Sequence, residues 1–334
     1  MSTSDQPDAQ DELSDIEVVA LVGRAYAAVQ QQMAGIIVGL EEVTEQIFIT
    51  MICRGHCILE GVPGLAKTRL ISTLASLIAL TFRRVQFTPD LMPGDITGSD
   101  VLEEDHTTGR RVFRFVPGPL FGNVILADEI NRTPPKTQSA LLEAMEERQL
   151  TVGGQTYTLP DPFFVLATQN PIEQEGTYAL PEAQLDRFML KIVLDYPAAD
   201  QEIEIVRRAT SPYAFATQPV LDVPQLLLMQ RLVRKVPVGD HVFAYATRIV
   251  RATRPKAQDS PAVARQMISW GAGPRASIFL VMAAKARALL HGRYHATERD
   301  VAAMALSVLR HRIMPTFNAE AEGVTAETLI PQLL

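Results

Sequence analysis

The eight residues Gly61-Val62-Pro63-Gly64-Leu65-Ala66-Lys67-Thr68 constrain this chain more than any other stretch. A short apolar run, His56 to Glu60, leads into them, and a helix-patterned run from Arg69 to Leu80 follows. Strand, glycine-bearing turn, Lys-Thr and helix is the layout of a phosphate-binding loop. There, backbone N–H groups and a helix N-terminus surround an anion. Lys67 and Thr68 fall in the first turn of that helix, where a lysine opposes the macrodipole at a cost of about 0.3–1 kcal/mol. An anion facing the ammonium removes the cost, so the misplaced charge points to bound phosphate. The usual pattern has glycine before the lysine, and here that residue is Ala66. Alanine does not replace a glycine that needs φ > 0. The loop is therefore expected to enter its helix with ordinary right-handed dihedrals at position 66. Taken alone, the octet leaves open a glycine turn that only joins strand to helix.

At 334 residues the chain suits about two domains. Apolar residues make up 47% and charged residues 21%, as in an ordinary globular protein. A net charge of -7 argues against a chain built to coat nucleic acid. No segment approaches the roughly 18 uninterrupted apolar residues of a membrane span. The start, Met1 to Asp15, is acidic and polar, without the features of a signal peptide. These readings predict a cytoplasmic protein with a disordered tail over residues 1–14. Only two cysteines occur, Cys53 and Cys57, with His56 between them and no second Cys/His pair. A structural zinc site needs four ligands, so burial is the expectation for Cys57.

Apolar positions at helical spacing run over Ile16–Met33 and, after a break at Gly35 to Gly39, over Glu41–Cys53. Strand candidates are short: Cys57–Leu59, Val85–Phe87, Val124–Leu126, Phe163–Ala167 and Leu190–Leu194. Helical stretches separate most of them, which predicts an α/β core with a mainly parallel sheet covered on both faces. Two β-hairpins interrupt it. One runs from Gly98 to Phe115 with a turn at Asp105–Gly109, the other from Gln149 to Leu159 around Gly153-Gly154. After Tyr196-Pro197 only helical patterns follow, in Val223–Val236, His241–Thr253, Arg275–Leu290 and Glu298–Ile313. The expected division is a nucleotide-binding core over 15–210 and a helical bundle over 211–334.

Asn123-Val-Ile-Leu-Ala-Asp128-Glu129 is an apolar strand ending in two acids. Ligands of open α/β sheets collect at the carboxyl ends of strands, where the phosphate loop also lies. Asp128 is suited to hold Mg²⁺ through the metal's water shell, with the Thr68 hydroxyl as the other protein ligand. Glu129 is then placed to orient or deprotonate an attacking water.

These residues carry a resemblance to the MoxR family of AAA+ ATPases. The segment Leu126-Ala-Asp-Glu-Ile-Asn131-Arg-Thr-Pro-Pro-Lys136-Thr-Gln-Ser-Ala-Leu-Leu-Glu-Ala-Met145 is nearly the family's signature. So are Ala167-Thr-Gln-Asn170-Pro and Glu175-Gly-Thr-Tyr178-Ala-Leu-Pro-Glu-Ala-Gln-Leu-Asp-Arg187-Phe188, and the variant loop ending Leu65-Ala66-Lys67-Thr68. The likeness runs from about Ile36 to Ile313. It implies an AAA+ P-loop core with a five-stranded sheet, followed by an all-α lid.

The resemblance also implies roles. Asn170 matches sensor 1, which helps place the attacking water. Arg187 matches the arginine finger that reaches the next subunit's nucleotide, an effect worth about 10³–10⁵ in rate. Its plain alternative is an ion pair with Asp186 or Glu182. Arg275 matches sensor 2, a lid arginine on the γ-phosphate in cis. Pro274 suits the first helical position, which leaves Arg275 in the opening turn where a cation is disfavoured. Gly273 stands where family members usually have serine. Val38-Gly39 resembles the segment lining the adenine pocket, and Gln86 matches a polar residue that restrains Glu129 in related ATPases. The pair His311-Arg312 recurs in the family without an evident role beyond packing or an inter-subunit contact. The hairpins resemble insertions of the branch that includes the magnesium chelatase motor subunit and replicative helicases.

The expected protein is a Mg²⁺-dependent ATPase forming a ring, most simply a hexamer, that remodels other proteins. The resemblance implies partners with a von Willebrand A domain, in metal-cofactor insertion or complex maturation. A DNA-associated helicase-type motor is the alternative. The hairpin tips, with Asp105, His106, Thr107, Gly153 and Gly154, have neither aromatic interleaving nor a basic run to favour it. A scaffold that binds ATP without turnover would need neither Glu129 nor Arg187.

Overall fold

A computed structural model describes residues 15–104, 111–171, 176–212 and 215–334. The expected tail over 1–14, the hairpin-tip residues Asp105, His106 and Thr107, and Glu175 lie outside the described residues.

Five short strands form one sheet: β1 (Cys57–Glu60), β2 (Phe82–Gln86), β3 (Val124–Asp128), β4 (Phe164–Gln169) and β5 (Leu190–Val193). Their order is β2-β3-β4-β1-β5, and every neighbouring pair is parallel. Alternate residues face opposite layers. Ile58, Ile125, Ala127, Val165 and Ala167 pack with Leu141, Leu142 and Met145 of the helix Pro135–Glu147. Cys57, Leu59, Val124, Leu126 and Leu166 pack on the other face, against the helices Glu41–Ile52 and Lys67–Leu77. Burial on both faces explains why the central strands read as continuous apolar runs. The edge strand β2 starts three residues before the expected Val85, because an edge tolerates the solvent-facing Arg83 and Arg84.

The apolar layer under β1 continues into the helices Val223–Lys235, Asp240–Ala252, Pro274–Leu290 and Glu298–Leu309. The helix Asp15–Ile36 shares that layer. Ala283, Ala284, Ala286 and Ala288 are fully buried, so small side chains bring the helix Pro274–Leu290 close to its neighbours. Among these helices sits one fully buried acid, Asp300. Its carboxylate accepts from Arg287 at 2.8 Å, from Arg293 at 2.6 and 2.5 Å, and from Thr297 at 3.0 and 2.7 Å. The helical part also contains a short antiparallel ladder, Ile268–Trp270 with Met314–Pro315. Strands this short show no alternation, so periodicity does not reveal them.

Both expected hairpins are present, Gly98–Glu104 with Arg111–Pro117 and Gln149–Val152 with Gln155–Thr158. Gly153 and Gly154 both have positive φ, as a tight hairpin turn requires. The Phe115 ring stacks on Tyr157 with centroids 4.1 Å apart, and Phe121 packs on both. The two insertions are thereby tied to one another. Among the described residues, no helix is long and apolar enough to cross a membrane.

Candidate active site

Parallel pairing brings the carboxyl ends of all five strands to one edge. Gln86 pairs with Asp128, and Glu60 pairs with both Gln169 and Val193. The loop Gly61–Ala66 leaves β1 at this edge, and Lys67 opens the helix Lys67–Leu77 as expected. The Lys67 ammonium folds back over the loop and donates to the Gly61 carbonyl at 2.5 Å. Gly64 has φ 90, a conformation that favours glycine.

The expectation for Ala66 is corrected by its dihedrals, φ 55 and ψ 25, which are left-handed. The turn into the helix demands that conformation whichever residue occupies it. Ala66 is exposed, so its Cβ meets no packed neighbour, and the backbone alone carries a cost of about 1–2 kcal/mol. Ala66→Gly should therefore raise stability by about 0.5–1 kcal/mol, after subtracting glycine's added freedom in the unfolded chain. Thermal unfolding checks this, and a lowered midpoint would refute it.

The two acids close a ring of hydrogen bonds. Asp128 ends β3, accepting from the Thr168 hydroxyl at 2.6 Å on one oxygen and from Arg84 at 2.6 and 3.1 Å on the other. Glu129 follows with φ 58 and ψ 51, a strained backbone of the kind stored at functional sites. Its N–H donates to the same Thr168 hydroxyl at 2.9 Å. Its carboxylate accepts from Gln86 at 2.7 Å and from Arg132 at 2.9 Å. Arg84 also donates to Gln86 at 2.9 Å. The match of Gln86 to a restraint on Glu129 thus corresponds to a direct bond.

Asn170 lies just past β4 and is buried. The Gly61 N–H donates to the Gln169 carbonyl at 3.3 Å, which sets Asn170 beside the start of the loop. A cavity of about 850 Å³ joins the loop residues Pro63, Gly64, Leu65 and Ala66 to Val38 and Gly39. Ile205 and Val206 of the helix Ala199–Ala209 supply an apolar wall. Gly39 has φ 74, and a Cβ there would fall 2.6 Å from the Gln201 side chain.

Arg187 and Arg275 meet elsewhere. Arg187 pairs with Glu146 at 3.0 Å instead of with Asp186 or Glu182. Arg275, in the first turn of the helix Pro274–Leu290 as expected, lies 3.3 Å from Glu146 and 3.5 Å from Asp186. One carboxylate at the end of the helix Pro135–Glu147 therefore holds both arginines.

The family described as "ATPase family associated with various cellular activities (AAA)" matches residues 56–190, and an AAA lid domain matches residues 260–333. A relative named Chaperone MoxR1, from Mycobacterium tuberculosis, is 42% identical over 90% of this chain and 78% of its own. Protein MoxR of Paracoccus denitrificans is 33% identical over 90% of this chain and 91% of its own. The chain belongs to the MoxR family of AAA+ ATPases. Like them it binds and hydrolyses ATP. A crystal structure of a Cytophaga hutchinsonii protein, 40% identical, matches this MoxR chain with a TM-score of 0.87 over 95% of both chains.

The MoxR site contains residues that motif reading passed over. Arg84 lies two residues before Gln86 on β2, so it shares that residue's face and reaches Asp128 across the β2–β3 pairing. Thr168 lies within Ala167-Thr-Gln-Asn170-Pro, yet its bonds to both acids follow only from β4 lying beside β3. Glu146 had no sequence signal at all.

The donor set suits a hard cation. Thr68 offers a hydroxyl and Asp128 a carboxylate, and Mg²⁺ is held by few protein oxygens together with water and phosphates. Among the described residues no group of three or more His, Cys, Asp or Glu could hold a metal unaided. Burial pushes both cysteine thiols up, so neither ionises near neutrality.

Proposed function

We propose that this MoxR ATPase works as a Mg²⁺-dependent ring, most simply a hexamer, that remodels partner proteins carrying a von Willebrand A domain. Loop amides and Lys67 would hold the β- and γ-phosphates, and Val38 and Gly39 would flank the adenine. Thr68 and Asp128 would hold the metal. Magnesium, when bound, neutralises charge on the phosphate oxygens. Glu129 would take the proton of the attacking water and Asn170 would orient that water. Arg275 would contact the γ-phosphate in cis, and Arg187 would serve the nucleotide of the adjacent subunit.

The observation that carries this reading is the closed ring of bonds around Asp128 and Glu129. Glu129 is held by Gln86 and Arg132, away from a role as base, and Arg84 occupies the carboxylate that a cation would engage. Those contacts are partly exposed and worth about 1 kcal/mol or less each, so a bound nucleotide outcompetes them. Hydrolysis drives motion in a second protein, and the relative named as a chaperone supports that use.

The test is a pull-down with a Glu129→Gln variant held on ATP and Mg²⁺. It should retain a von Willebrand A domain protein that is released when ATP is exchanged for ADP. Capture of DNA instead, with affinity falling steeply as salt rises, would replace this reading with the helicase-type one.

A further inference from the structure

The pair His311-Arg312 occupies the turn that follows the helix Glu298–Leu309, and it grips the segment carrying Arg187. Arg312 is only 6% exposed, yet all of its guanidinium N–H groups are used. Nε donates to the Asp186 carboxylate at 2.8 Å, and Nη2 donates to the Asp186 and Phe188 carbonyls at 2.9 and 2.6 Å. Nη1 donates to the Met189 carbonyl at 3.3 Å and to the carbonyl of Val308. His311 Nε2 meets the same Phe188 carbonyl at 3.0 Å. Three of the four residues from Asp186 to Met189 are thus held by the lid, and the fourth is Arg187.

The same guanidinium also touches the helix that carries Arg275. Its carbon lies 5.1 Å from the ring centroid of Phe279, one helical turn beyond Arg275. Asp186 spends one oxygen on Arg312 and the other on Arg275. Burial pushes the Arg312 pKa down to about 10, with Asp186 opposing, so the group is still a cation at neutral pH. Burial and the Arg312 charge hold His311 far below the usual range, so it is neutral. A buried cation is a poor choice for stability alone, since an apolar residue of similar size does as well or better. What it supplies is a fixed position.

We propose that Arg312 is a positioning residue for the arginine finger, joining the lid to the Asp186–Met189 segment so that the lid fixes where Arg187 stands. This rests on the reading of Arg187 as acting in trans. The backbone on both sides of Arg187 then keeps its place while the arginine side chain acts on the next subunit. The Glu146 pairs are partly exposed and weakly held, whereas Arg312 is buried with its N–H groups on the Asp186–Met189 segment and Val308.

Mixed rings test this. Arg312→Lys keeps the charge but loses the planar fork. It should lower kcat by about 10²-fold while KM and the affinity for a fluorescent ATP analogue stay within about twofold. Adding Glu129→Gln subunits, which carry an intact finger, should restore turnover by the Arg312→Lys subunits, as it should for Arg187→Ala. Rescue of Arg187→Ala without rescue of Arg312→Lys overturns the proposal, and so does an unchanged kcat. If neither is rescued, the trans reading of Arg187 fails and this proposal falls with it. The thermal unfolding midpoint of the Arg312→Lys protein reports whether the region stays packed. Should Arg312→Lys lose that packing, Asp186→Asn gives the same readouts from the other side of the joint.

Discussion

Glu129→Gln is expected to slow ATP turnover by about 10²–10⁴-fold, the usual contribution of a general base. Nucleotide affinity should barely change, because the loop and Lys67 are untouched. Glutamine keeps the shape of the side chain and an oxygen that still accepts from Gln86 and Arg132. The lost ion pair with the partly exposed Arg132 is worth about 1 kcal/mol or less, so folding survives. What disappears is the capacity to take a proton. Phosphate release at saturating ATP, beside a titration with fluorescent nucleotide, separates the two effects. Undiminished turnover would remove Glu129 from the chemistry.

Asp300→Ala is expected to destabilise the protein by about 3 kcal/mol at neutral pH, because it leaves Arg287 and Arg293 without their shared carboxylate. It also strips Thr297 of its capping partner at the start of the helix Glu298–Leu309. Burial by itself would raise the Asp300 pKa. Hydrogen bonds from Arg293, Thr297 and Arg287 outweigh that and hold the carboxyl well below the usual carboxylate range. A carboxyl depressed in the folded state contributes fully above its unfolded pKa of about 3.9. The contribution is lost as pH falls from there toward the folded value. The gap between wild type and variant should therefore be widest at neutral pH and narrow below about pH 4. Denaturant unfolding at both pH values measures it. A neutral-pH difference under about 1 kcal/mol, within the range of an exposed pair, would show that the network is not structural.

Much of this MoxR ATPase is written locally. The octet ending Ala66-Lys67-Thr68 announces strand, turn and helix, because glycines and a misplaced lysine act over a few residues. The hairpin at Gly153-Gly154 is equally local, since a two-residue turn needs two positive φ values. The acids Asp128 and Glu129 are visible because two successive carboxylates close an apolar run at the strand end where the phosphate loop also lies. Ala66 shows where local reasoning overreaches. Propensity favoured a right-handed alanine, and the closing of the loop overrode it.

The alternation of short apolar runs with helices determined a parallel α/β core, and the phosphate loop and paired acids determined a nucleotide chemistry. The tertiary structure decided who restrains whom. Arg84 reaches Asp128 across 44 residues, Glu146 reaches Arg275 across 129, and Arg312 reaches Asp186 across 126. Pattern and propensity act within a turn or a strand, whereas these contacts depend on strand order and on how the helices dock. No spacing along the chain encodes those distances.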